Sequence, residues 1–79
     1  MPPYQSIPFR KYVRFLKSKR LVLQRTTSSH EIWNHPDKPF LRPLVIRRKD
    51  KDIPFLHIKT NCETMGITLE RFYYEIGDC

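Results

Sequence analysis

The chain has 79 residues, which leaves room for one small domain with a thin core and a shallow site. Fifteen lysines and arginines against eight acidic residues give a net charge of +7. This excess favours an anionic partner, namely nucleic acid, an acidic protein or an anionic membrane, although solubility alone also accounts for a charged surface. No apolar run approaches the ~20 residues that span a bilayer, and the first residues lack the apolar core of a signal peptide. We therefore expect a cytoplasmic protein with no membrane partner.

The first predicted element is a helix over residues 7–18, preceded by a tail over residues 1–6. Apolar side chains recur there at i, i+3, i+4 and i+7, namely Phe9, Tyr12, Val13 and Leu16. Ser6 has the side chain of an N-cap, and a proline is tolerated in the first turn. One face of this helix is therefore expected to be buried, and the other is rich in lysine and arginine.

Three strands are expected next, over residues 21–27, 29–35 and 41–48. Short polar or proline-containing turns separate them, so an antiparallel meander is the economical topology. Pro43 cannot donate to a strand ladder. The third strand is therefore expected to be an edge strand, or to begin properly at Leu44.

After the charged segment around Asp50, the apolar residues recur with the period of a helix. Apolar residues recur at i, i+3, i+7 and i+10, namely Phe55, Ile58, Cys62 and Met65. Asp52 is the expected cap of this helix, and Gly66 is expected to end it in a left-handed conformation. A short last helix is expected to begin after Thr68 and run to Ile76. Residues 1–79 then form a single α+β domain with a C-terminal helical extension over 68–79.

His30 is the first candidate for chemistry, because it follows a small polar turn, Thr26-Thr27-Ser28-Ser29. An imidazole ordinarily titrates near 6.5 and can take or give a proton at neutral pH. A surface histidine with no role is the competing and commoner interpretation of a lone histidine.

This chain lacks the residue patterns that other common enzyme classes require. The three histidines, His30, His35 and His57, have no zinc spacing, and the two cysteines form no CxxC motif. With two glycines in total, there is no glycine-rich phosphate loop. We therefore expect neither a metal nor another cofactor.

Basic residues on the first and third strands are expected to form one surface beside His30, namely Arg25, Arg42, Arg47, Arg48 and Lys49. Such a surface binds phosphate backbones. A solvated strand edge protected by charge explains the same residues equally well. Trp33 can stack on an unpaired base, although a single tryptophan in a small domain is more often part of the core.

Several motifs resemble those of HicA toxins, and they occur in the family's order and at its spacing. Ser29-His30, then Trp33, then His35-Pro36 is similar to the family's Gly-Ser-His, aromatic, His-Pro signature. Downstream, residues 51–54 (Lys-Asp-Ile-Pro) and Gly66-Ile67 resemble the segments that bracket the family's second helix. The resemblance covers about residues 7–67.

The resemblance implies a double-stranded-RNA-binding-like αβββα fold, with a three-stranded antiparallel sheet packed on two helices. It implies a metal-independent endoribonuclease that cleaves mRNA, and a cognate HicB-type antitoxin that covers the active site. The family's catalytic histidine falls on His30 and the serine before it on Ser29. The expected RNA-binding residues are then Arg25, Trp33, His35, Arg47, Arg48 and Lys49.

The chain departs from the family pattern at four places. Ser28 and Arg20 replace two glycines, and Lys49 replaces a histidine. Leu56-His57 replaces a glycine-threonine pair at the start of the second helix.

The expected mechanism uses the 2′-hydroxyl of RNA as the nucleophile. His30 removes its proton, and a cation such as Arg25 or Lys49 stabilises the charge on phosphate, leaving a 2′,3′-cyclic phosphate. Two alternatives remain, a non-catalytic RNA-binding module on the same fold and a protein-interaction adaptor.

Overall fold

A computed structural model describes residues 5–48 and 51–77. The elements follow one another as β1 (Ile7–Pro8), α1 (Phe9–Ser18), β2 (Val22–Thr26), β3 (His30–Asn34), β4 (Leu44–Arg47), β5 (Asp52–Ile53), α2 (Phe55–Met65) and α3 (Leu69–Ile76). The predicted α+β class and the αβββα order with a C-terminal helix are therefore confirmed.

The main sheet is a three-stranded antiparallel meander with the order β2-β3-β4. Trp33 at its centre lies opposite Leu23 on one side and Leu44 on the other. The strand β4 is an edge strand and begins at Leu44, so both expectations drawn from Pro43 hold.

A second, two-stranded sheet was not predicted from the sequence. In it, Ile7 of β1 pairs with Ile53 of β5, and the Phe9 N–H donates to the Lys51 carbonyl at 2.8 Å. Because residues 7 and 8 are extended in this pair, α1 begins at Phe9, and the predicted cap Ser6 was wrong.

The same pairing explains a second error in the predicted caps. Asp52 lies in β5, where its backbone is committed to the strand pair, so it does not cap the second helix. The N-cap of α2 is Pro54, which has no side chain that can accept a hydrogen bond.

The centre of the core is an aromatic cluster between α1 and α3. Tyr12, Phe15 and Phe72 are fully buried, and the Phe15 and Phe72 rings meet edge to face with centroids 4.8 Å apart. Phe15 was absent from the predicted apolar stripe. The extension predicted over residues 68–79 therefore contributes to the core through α3, because Ile76 is buried as well.

The ends of the last two helices agree with the sequence. Gly66 has a φ of 75°, and the Ile67 N–H donates to the Cys62 carbonyl at 3.1 Å, which completes a Schellman-type stop. The Thr68 hydroxyl accepts from the Arg71 N–H at 3.0 Å and caps α3. No helix in the described part of the chain is long and apolar enough to cross a membrane.

Candidate active site

A tight turn between β2 and β3 holds His30 at the start of its strand. The Thr27 N–H donates to the His30 carbonyl at 2.9 Å, and the His30 N–H donates to the Thr27 hydroxyl at 3.1 Å. The Arg48 N–H donates to the Ser29 carbonyl at 2.9 Å and joins the turn to the end of β4. The backbone on both sides of the imidazole is therefore restrained.

The Ser29 side chain restrains the ring itself. Its Oγ lies 3.0 Å from His30 Nδ1, and the ring is half-buried. When Nδ1–H donates to this hydroxyl, Nε2 keeps its lone pair and can accept a proton. The predicted pair Ser29 and His30 thus has the geometry of a base and the group that orients it.

His30 opens onto a groove of about 410 Å³ between β4 and α2, which we call the basic groove. Arg47 lies directly opposite His30 in the β3–β4 pair, so the two side chains share a face of the sheet. Val45 follows on the same face, and Arg42 and Pro43 line the groove before β4 begins.

The other wall of the basic groove is a polar stripe of α2, formed by His57, Thr60, Asn61 and Thr64. These positions fall at i, i+3, i+4 and i+7, which places them along one face of the helix. Asn61 is buried, and its Nδ2 donates to the Tyr12 hydroxyl at 3.2 Å. Burial raises the pKa of Tyr12, so the hydroxyl stays neutral and keeps this link between α2 and α1.

The side chains that line the basic groove are cationic or neutral. Two arginines and two histidines are joined there by threonine, asparagine, valine and proline, with no carboxylate among the described lining residues. Across residues 5–48 and 51–77, no three His, Cys, Asp or Glu side chains converge as metal ligands. This lining suits an anionic ligand such as a phosphodiester.

Arg25 and Arg48 lie outside the basic groove. Arg25 pairs with Ile32 and shares the face of His30, one strand further from α2. Arg48 follows Arg47 and so points to the opposite face, where its Nε lies 3.9 Å from a Glu31 carboxylate oxygen.

Two further predicted RNA-binding residues, Trp33 and His35, do not line the basic groove. Trp33 is 3% exposed and donates through Nε1 to Glu31 at 3.0 Å, so it belongs to the core side of the sheet. His35 organises the next turn, because its Nδ1 accepts the backbone N–H groups of Asp37 and Lys38, both at 3.0 Å. Lys49 lies outside the described residues.

A second groove of about 470 Å³ lies between α1 and the core side of the sheet, and we call it the apolar groove. Its apolar lining comes from α1 and from the start and centre of the sheet, namely Phe9, Val13, Leu21, Val22, Leu23 and Trp33. Its polar lining side chains are one of each charge, Lys17 and Glu31.

No sequence motif points to the helix wall of the basic groove. The sequence suggests His57 only as a possible metal ligand and Arg42 only as part of a basic cluster. A usable signal exists in α2, because residues 57, 61 and 64 form a polar stripe beside the apolar stripe of residues 55, 58, 62 and 65. What covers or faces that polar stripe depends on the packing of α2 beside β4.

Comparison of the chain with protein-family models, with curated proteins and with solved structures found no match. A function is therefore inferred from the geometry of the basic groove, its charge and the motifs of the sequence.

Proposed function

We propose that this protein is a metal-independent endoribonuclease of the HicA type, with mRNA as its substrate and His30 as its general base. One observation carries the proposal: a histidine oriented by a neighbouring hydroxyl opens onto a groove whose ionisable side chains, among the described residues, are histidines and arginines. This combination supplies a proton acceptor for the 2′-hydroxyl and cations for the charge that grows on the phosphate.

In the proposed reaction, His30 Nε2 removes the proton from a ribose 2′-hydroxyl while Nδ1–H stays bonded to Ser29 Oγ. The 2′-oxygen attacks the adjacent phosphorus, the bond from phosphorus to the 5′-oxygen of the next nucleotide breaks, and the products are a 2′,3′-cyclic phosphate and a 5′-hydroxyl end. One positioned proton-transfer group accelerates such a step by about 10²–10⁴-fold.

Arg47 is the cation best placed to stabilise the charge that grows on the phosphate. It lies directly across from His30 on the same face, whereas Arg25 is one strand away. A guanidinium can donate two parallel hydrogen bonds to phosphate oxygens, which gives orientation as well as charge. Arg42 is available in the same groove for a neighbouring phosphate.

The proposal includes a HicB-type antitoxin as the cognate partner, which follows from the resemblance of the motifs. Such a partner would inhibit by covering the basic groove, since substrate reaches His30 from that side. Its gene would be expected beside the gene for this chain, and co-expression would be expected to relieve growth arrest.

The test is end-group analysis of single-stranded RNA incubated with the purified protein, with and without excess EDTA. We expect cleavage that survives the chelator and leaves 2′,3′-cyclic phosphate ends. His30→Ala is expected to lower the rate by about 10²–10⁴-fold and to abolish growth arrest in cells. Ser28→Ala, at an exposed position in the same turn, is the matched control and should keep the parent rate.

Two results would overturn the proposal in different directions. Loss of cleavage in EDTA with recovery in magnesium or manganese would identify a metal-dependent nuclease. RNA binding without any cleavage would identify the alternative, a non-catalytic RNA-binding module.

A further inference from the structure

The proposed reaction needs a second proton transfer that His30 does not supply in the same step. As the bond between phosphorus and the 5′-oxygen breaks, its electron pair passes to that oxygen, which becomes an alkoxide unless it receives a proton. His30 has just taken a proton from the 2′-hydroxyl on the attacking side. In an in-line displacement the leaving oxygen lies on the opposite side of the phosphorus.

Among the described residues that line the basic groove, one further side chain can give a proton near neutral pH, and it lies on the opposite wall. His57 belongs to the first turn of α2, and its ring is half-buried in the groove. The other polar residues of that wall, Thr60, Asn61 and Thr64, have no group that ionises near neutral pH, and the cations of the strand wall are Arg42 and Arg47. Neither arginine gives up a proton at neutral pH.

Packing holds the His57 backbone in place relative to the sheet. Its N–H donates to the Pro54 carbonyl at 3.0 Å in the first turn of α2. Ile58, the next residue, is fully buried, and Cys62 on the same inner face is 1% exposed. The position of the imidazole is thus set by a helix anchored in the core, which suits a group that must meet a substrate.

We propose that His57 is a second catalytic residue, the general acid that protonates the 5′-oxygen leaving group of RNA. The inference rests on the proposed function and adds a partner to His30 on the facing wall. The 2′-oxygen gains a bond to phosphorus, the bond to the 5′-oxygen breaks, and the proton of the His57 imidazolium goes to that oxygen. His30 ends protonated and His57 neutral, and exchange with water restores both.

The surroundings of the two imidazoles support this division of roles. The contact between Ser29 Oγ and a ring nitrogen is made by His30, whereas His57 lies on the facing wall, so the two rings differ as a base and an acid must.

The experiment compares two substrates that differ only in the leaving atom. One is a single-stranded oligoribonucleotide, and the other carries sulfur in place of the 5′-oxygen at the bond that the parent protein cleaves. A thiolate leaves without being protonated, so a missing general acid matters only for the oxygen substrate. We expect His57→Ala to lower kcat/KM by about 10²–10⁴-fold with oxygen, and by less than about tenfold with sulfur.

The pH dependence gives a second, independent readout. The parent should show a bell-shaped profile of kcat/KM with the oxygen substrate, because one imidazole must be neutral and the other protonated. His57→Ala should lose the alkaline limb and keep the acid limb. His57→Gln repeats the measurement with a polar side chain, and thermal melting checks that each variant is folded.

The controls separate this inference from the function on which it rests. Leu56→Ala, at the exposed position before His57, should behave as the parent does. His30→Ala should be inactive with both substrates. If the parent does not cleave RNA, both proposals fall. If His30→Ala is inactive but His57→Ala keeps the parent rate and both limbs, only the general acid is overturned. Equal losses with oxygen and sulfur would also overturn it, because His57 would then only bind the substrate.

Discussion

The two sides of the main sheet carry opposite chemistry, although their residues alternate along the same strands. In β4, Ile46 is fully buried whereas Val45 is 42% exposed beside the basic groove. Arg47 points to that groove, whereas Arg48 points to the core side. A shift of pairing by one residue would exchange these sets, so the site depends on register as much as on composition.

A bulge sharpens the contrast in β2. The register shifts between Leu23 and Arg25, so Leu23 lies beside Trp33 on the core side and Arg25 lies beside Ile32 on the other. The apolar and basic grooves that result have similar volumes, about 470 and 410 Å³. Their difference is therefore one of lining chemistry and not of size.

The largest expected effect is a loss of stability, which should differ between two adjacent residues of β4 that lie on opposite sides of the sheet. Ile46→Ala removes a fully buried side chain and should lower the free energy of unfolding by about 2–5 kcal/mol. Val45→Ala, one residue away on the other face, should cost less than about 1 kcal/mol. Urea denaturation monitored by circular dichroism measures both. Equal losses would mean that the two faces are not buried as described.

The second effect concerns catalysis, with two adjacent arginines as the matched pair. Arg47→Ala should lower RNA cleavage by about 10²-fold, because it removes the cation opposite His30. Arg48→Ala should change the rate by less than about threefold, since its side chain lies on the core side beside Glu31. Single-turnover cleavage rates decide between them.

Salt dependence of RNA binding supplies the control for that pair. Loss of one phosphate contact should reduce the slope of log K against log salt by about 0.7 for a single strand. The Arg47→Ala variant should show this reduction and Arg48→Ala should not. A larger reduction in Arg48→Ala would place the phosphate path on the other side of the sheet.

A smaller effect concerns Cys62 on the inner face of α2 and the dependence of stability on pH. Burial raises the pKa of the Cys62 thiol to about 11. The folded protein therefore holds this proton more tightly than the unfolded chain does, so stability is complete below the ordinary thiol pKa and falls as pH rises towards 11. Urea midpoints between pH 8 and 11, measured in a Cys79→Ser background, should show this fall.

The control for the thiol is Cys62→Ala in the same background. It should be less stable at every pH because a small cavity replaces the sulfur, but its stability should fall less between about pH 9 and 11. Tyr12, whose pKa burial also raises, keeps its own contribution in both proteins. Identical alkaline slopes would show that the thiol does not titrate as its burial requires.

The smallest expected effect lies where the chain passes from α1 to the sheet. Arg20 has a φ of 65°, a left-handed conformation that costs a residue with a Cβ roughly 1–2 kcal/mol. Arg20→Gly relieves this strain and adds entropy to the unfolded chain, so we expect a net stabilisation of about 0.5–1 kcal/mol. Thermal melting compared with Arg20→Ala, which keeps the strain, isolates the backbone contribution.

Most of the fold could be predicted because its signals are local. The turn before His30, the Gly66 stop and the Thr68 cap each depend on a few neighbouring residues, and each is present. The pairing of β1 with β5 was missed because it joins segments far apart in the chain, each only two residues long. Such short pairs leave no periodic pattern.

The candidate site was predictable only in part, for the same reason. Ser29 and His30 are adjacent in sequence, so their contact could be expected from the motif. Arg47 could be placed on a neighbouring strand, but its separation from Arg48 needed the register of β3 and β4.

The sequence by itself determined the order of helices and strands, the turn that presents His30 and the strong positive charge. These follow from apolar periodicity and from turn and cap chemistry, which involve only neighbouring residues, and from composition, which does not depend on the order of the residues. Only the tertiary structure decided that His57 and Arg42 share a groove with His30 while Trp33 lies on the core side. The physical reason is that strand register, the bulge in β2 and the docking of α2 beside β4 are set by packing between distant segments.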